Sequence, residues 1–161
     1  MAVSYLELAK EELTGDNNNN EPEAAEVIEP GEALVFNKIV SSAGSMIGYD
    51  DETGTIQFFE TGYYYINWFV APQFGLTTNG SNWAIQNSED ELSVIGSSHT
   101  RVSATTGFAM IHAQTQAKEA EMRDPPVIET ARLVNVSDSA LTLSQAVRGK
   151  AGLIVINVPD V

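Results

Sequence analysis

Gly62-Tyr63-Tyr64-Tyr65-Ile66-Asn67-Trp68-Phe69-Val70 is the most aromatic run of the sequence. Aromatic and β-branched residues dominate it, and the turn residues Glu60-Thr61-Gly62 precede it, so it reads as a strand. A period of two puts Tyr64, Ile66, Trp68 and Val70 on one face and Tyr63, Tyr65, Asn67 and Phe69 on the other. A half-buried antiparallel strand alternates apolar with polar. This one is apolar on both sides. It needs a core on one side and a second apolar environment on the other, either a covering loop or another subunit. A subunit is the better fit, because large exposed apolar patches mark contacts.

Outward from this strand the texture repeats. Short β-rich runs alternate with Gly, Asn, Asp and Pro, giving strands near Ala33–Phe36, Ser45–Tyr49, Thr55–Phe59, Asn82–Gln86, Leu92–Ile95, Thr106–Gln114, Ala131–Val136, Ala140–Leu143 and Gly152–Val158. Asp50 to Gly54 reads as a turn, and Ser137-Asp138-Ser139 as a hairpin tip. The last strand repeats the two-faced pattern, with Leu153 and Val155 on one side and Ile154, Ile156 and Val158 on the other. About ten short strands with no intervening crossover helix predict an all-β antiparallel jelly-roll sandwich. Gln116–Pro126 is charged, ends in Pro125-Pro126, and reads as a long surface loop.

The first residues read differently. Tyr5, Leu6, Leu8, Ala9, Glu12 and Leu13 form a weak helical stripe, followed by the polar run Asn17–Asn20 and Glu21-Pro22-Glu23. Residues 1–32 are therefore expected to be an acidic, partly helical arm and linker, an attachment segment reaching a scaffold through residues 1–20. Residues 33–161 are expected to be the head. Of the net charge of −14, residues 1–32 carry −8, nine acids against Lys10 alone. That balance argues against nucleic acid and anionic membrane surfaces as partners. No stretch approaches the ~20 apolar residues of a membrane span, and no signal peptide is seen at Met1.

Chemistry is sparse. The chain has no cysteine and two histidines, His99 and His112. His99 reads as a loop residue, and His112 as a packed or interfacial one beside Phe108 and Met110. No nucleophile elbow or paired metal-binding histidines are present, so an enzyme is not expected and no cofactor is called for. Asp50, Asp51 and Asp90 sit at turn signals and are weak candidates for calcium. Gln73, Thr77, Asn79 and Arg123, in the loops Gln73–Ser81 and Gln116–Pro126, are candidate ligand contacts for a glycan or receptor. Asn79-Gly80-Ser81 and Asn135-Val136-Ser137 match the glycan sequon.

The order of motifs resembles a known family. Thr61-Gly62-Tyr63-Tyr64-Tyr65-Ile66 resembles the Gly-x-Tyr strand of the tumour-necrosis-factor-like and complement globular heads. More narrowly, Phe36-Asn37, Thr55–Gly62, Ala131–Ser137 leading into Leu141-Thr142-Leu143, and Ala151–Val158 follow the order of the C-terminal heads of collagen-like spore-surface glycoproteins typified by BclA. The resemblance spans roughly residues 33–158. It implies a homotrimer of ten-stranded jelly rolls, with Tyr63, Tyr65, Phe69, Ile154, Ile156 and Val158 near the threefold axis and Tyr64, Ile66, Trp68 and Val70 in each core. No Gly-x-y stalk precedes the head, and a short acidic arm stands in its place. The expected setting is thus the outer surface of an assembled particle, either a spore exosporium or a phage virion. The expected role is a structural head, with a receptor- or carbohydrate-binding adhesion head as the alternative.

Overall fold

A computed structural model describes residues 3–11, 26–72, 80–98, 104–114, 126–144 and 149–159. Among them the chain is all-β. The elements are β1 (Tyr5–Glu11), β2 (Val27–Ile28), β3 (Lys38–Ala43), β4 (Ile47–Asp50), β5 (Thr55–Phe58), β6 (Gly62–Val70), β7 (Ser81–Asn87), β8 (Gly96–Ser98), β9 (Thr105–Ala113), β10 (Glu129–Asn135), β11 (Leu141–Thr142) and β12 (Gly149–Val158).

They form two five-stranded antiparallel sheets, ordered β3-β1-β12-β6-β9 and β4-β5-β10-β7-β8, with β11 and β2 as a two-stranded ribbon. The aromatic strand β6 thus sits between β12 and β9. Its inward residues Tyr64, Ile66, Trp68 and Val70 are all buried, as their alternation requires. They meet Ile56 and Phe58 of β5, Trp83 and Ile85 of β7, and Ala131 and Leu133 of β10 in a single core. The Phe58 and Tyr64 rings pack at 4.4 Å between centroids. Burying an aromatic side chain of ~200 Å² contributes roughly 5 kcal/mol before entropy, so these rings dominate the cohesion between the sheets.

The N-terminal arm is where the expectation fails. Tyr5–Glu11 is a strand, not a helix, paired with β12 on one side and β3 on the other. Leu6 and Leu8 point inward and are 3% and 1% exposed. The alternation Leu6-Glu7-Leu8 has a period of two, and tertiary pairing overrides the helix preference of Leu, Ala, Glu and Lys. The arm's linker, residues 12–25, lies outside the described residues. Two smaller corrections follow the same logic. Ala33–Phe36 is extended and buries Leu34 and Phe36, but contributes only a bridge from Ala33 to Val134, and the strand proper is β3. Ser137-Asp138-Ser139 does not close a hairpin, because β11 pairs with β2 instead of turning back onto β10.

Candidate functional site

The outward side of the β6 sheet is built from the register of its strands. Val158, Tyr63 and His112 form one transverse row; Tyr5, Ile156, Tyr65 and Met110 form the next. Below them come Glu7, Ile154, Asn67 and Phe108, then Ala9, Gly152, Phe69 and Thr106. Because side chains alternate along every strand, all of these share one face.

That face is largely apolar, and among the described residues nothing covers it. Tyr63 is 46% exposed, Phe69 40%, Phe108 58%, Met110 55% and Ile154 40%, while Tyr65 and Ile156 are half-buried. The expected interface residues Tyr63, Tyr65, Phe69, Ile154, Ile156 and Val158 therefore lie together, on two adjacent strands. The signal for Phe108 and Met110 was the pairing of β9 with β6, which periodicity alone does not give.

Local contacts fix the shape of the face. The Tyr63 and His112 rings stack at 4.1 Å and 8°, and the Gln114 amide lies 3.1 Å from the His112 ring nitrogens. Asn67 donates to the Tyr65 hydroxyl at 3.4 Å, so the polar residue in the middle of the face is turned toward its neighbour. At the β9 edge the patch continues into a cleft of about 220 Å³ lined by Asn67, Val94, Ile95, Gly96, Thr106, Gly107 and Phe108. Val94 and Ile95 are exposed, and β9 is the last strand of its sheet, with one edge unpaired within it.

The remaining candidates do not converge. Asp50 and Asp51 lie at the β4–β5 turn, where Asp50 Oδ1 accepts the Glu52 N–H and its carbonyl accepts the Gly54 N–H. Asp90 is in the turn after β7, in a left-handed conformation (φ 61°). Among the described residues no three such groups gather where a metal could be held. Gln73, Thr77, Asn79, His99 and Arg123 lie outside the described residues. Asn135 of the second sequon is 0% exposed. Its amide donates to the Ile28 and Ser139 carbonyls and accepts from the Ser137 N–H, so its side chain locks the β10–β11 corner.

Two tyrosines have shifted hydroxyls, and neither is on the outward face. Burial pushes the Tyr64 hydroxyl up to about 12, aided by the Glu60 charge. Burial likewise pushes Tyr49 up to about 12, a hydrogen bond from the Phe36 N–H opposes it, and Asp51 and Asp50 add to the rise.

No family model matches the chain, and no curated protein matches it in sequence. Solved structures do match in fold. Murine APRIL superposes with a TM-score of 0.61 at 11% identity, covering 97% of this chain and 99% of that one. Eiger TNF from S. frugiperda gives 0.62 at 9%, covering 100% and 96%. The PRD1 vertex protein P5 gives 0.57 at 15%, covering 99% of each. The chain thus shares the jelly-roll fold of these structures.

Proposed function

We propose that this chain is a non-enzymatic, homotrimeric structural head displayed on the surface of an assembled particle. The observation that carries the reading is the outward face of β12, β6 and β9, where Ile154, Tyr63, Phe69, Phe108 and Met110 stand exposed together. An apolar surface of this kind on a soluble domain is a contact surface, and one this rich in aromatics suits an obligate interface.

The apolar surface has two unlike parts, a sheet face and the β8–β9 edge cleft, which share Asn67 and Phe108. Unlike patches favour a head-to-tail contact that closes into a ring, and the likeness to tumour-necrosis-factor-like heads favours three copies. Display on a particle is supported by the fold shared with a vertex protein and by the resemblance to spore-surface heads. Anchorage through the N-terminal segment belongs to the same proposal, but not through Tyr5–Glu11, because Leu6 and Leu8 are taken up by the head's core.

Serine at both Tyr65 and Phe69 is the test. The double variant is expected to keep the β-sheet circular dichroism of the parent and sediment as single chains. A double variant that still sediments at the parent's oligomeric mass would remove the sheet face from the interface.

A further inference from the structure

β1 is the element whose sequence agrees least with its structure. Glu, Ala and Lys are depleted in strands, and Tyr5-Leu6-Glu7-Leu8-Ala9-Lys10-Glu11 is nonetheless a strand paired along both edges. Where local preference and global fold conflict, the surroundings hold the segment in place. Here the surroundings are a fitted slot. β12 lies on one side and β3 on the other, Leu6 and Leu8 drop into the core, and Ser4 and Asn157 clasp each other at the entrance. The Ser4 N–H donates to Asn157 Oδ1 at 2.7 Å, and the Asn157 N–H donates to the Ser4 carbonyl at 3.1 Å.

The slot also depends on its occupant. Among the described residues β3 pairs with β1 and with no other strand, and its Ile39 and Val40 are exposed. The other ties of β1 are polar: the exposed Glu11–Lys38 ion pair at 3.1 Å, of a type worth little at a surface, the Lys10–Glu26 pair at 2.6 Å, whose Lys10 side chain is mostly buried, and hydrogen bonds to Asn37 and Ser41. Backbone pairing with two side-chain anchors is the chemistry by which one chain adds a strand to another.

Between β1 and the rest of the head stand the fifteen residues Glu12 to Glu26, including Asn17–Asn20. That is several times the usual connection of ~4–6 residues, and fifteen residues span up to roughly 50 Å when extended. β1 also borders the apolar face, since Tyr5 and Glu7 stand in the same rows as Ile156, Tyr65, Ile154 and Phe108.

We infer that β1 is an exchangeable strand, and that in the assembly each slot takes Tyr5–Glu11 from a second copy of the chain. The occupant is a second copy because the slot is fitted to this sequence, with Leu6, Leu8 and Ser4 all buried in it. The inference rests on the reading of the chain as a self-associating head. It adds a covalent-chain link between copies that the apolar face alone does not supply.

The chain has no cysteine, which makes a direct test available. Glu7 stands opposite Ser41 and Tyr5 opposite Ala43, so Glu7→Cys with Ser41→Cys, and separately Tyr5→Cys with Ala43→Cys, place a disulfide across β1 and β3. Exchange predicts covalent dimers and trimers on a non-reducing denaturing gel, absent from the single-cysteine variants. Disulfide-bonded single chains in a sample whose native mass is still that of a trimer would overturn the exchange and leave the trimer standing. A native mass of one chain would overturn both.

Discussion

Phe69 lies across Gly152, its partner on β12: a Cβ built at Gly152 would stand 2.5 Å from Phe69 Cε1. The glycine lets the ring lie down against the sheet rather than stand away from it, and so shapes the lower part of the apolar face.

Gly152→Ala is therefore expected to act on assembly more than on folding. The ring's far end can swing outward, so the head should lose no more than ~1–2 kcal/mol to overpacking. The displaced ring should weaken association by about tenfold, equivalent to ~1.4 kcal/mol. Urea denaturation and a sedimentation dilution series separate the two effects. A large stability loss with unchanged association contradicts the account.

Trp68 serves the other face of the same strand. Its indole lies against Gly107, directly opposite on β9, and against Gly96, and a Cβ added at either would run into the ring. Trp68→Ala should cost ~3–5 kcal/mol by opening a cavity. Gly107→Ala should also destabilise, because the indole is boxed in and cannot swing clear. Chemical denaturation of each variant checks both; tolerance of alanine at 107 would mean the core is looser than its contacts indicate.

The double-sided character of β6 and β12 was legible in the residues themselves, because period-two alternation separates faces without knowledge of partners. So was the core set Tyr64, Ile66, Trp68 and Val70. Strand order was not legible. That Phe108 and Met110 join Tyr65 and Ile154 on one face follows from β9 pairing with β6, and pairing between distant segments leaves no local mark. β1 was misread because seven residues with strong helix formers carry a helical stripe, while the alternation of Leu6 and Leu8 is only two residues deep. β3 was missed because Lys38–Ala43 is largely exposed and gives no alternation to find.

Asn135 tests the corner between β10 and β11. Replacing it with alanine removes the acceptor for the Ser137 N–H and leaves the Ile28 carbonyl, which sits in the two-stranded ribbon, without its side-chain donor. Loss of ~2–3 kcal/mol is expected, in the range for stranding buried polar groups, and thermal unfolding measures it. A neutral substitution would show that water satisfies these groups.

Alkaline pH should expose the two buried phenols. Tyr49 and Tyr64 both titrate near 12 in the fold against 10 in the unfolded chain. Raised folded values mean that their contribution to stability is complete below pH 10 and is lost as pH rises from 10 toward 12. Phenolate absorbance should show Tyr49 and Tyr64 ionising late, and Tyr64→Phe should remove part of the alkaline loss. An absorbance titration with no late-ionising phenol, with the β-sheet signal intact, contradicts this.

Sedimentation equilibrium of the unaltered chain at micromolar concentration decides whether the head is a trimer. The expected result is a species of three times the 17.4 kDa chain mass, with no detectable exchange to smaller species on tenfold dilution. A single species at the mass of one chain would contradict it, and the apolar face of β12, β6 and β9 would then need another cover.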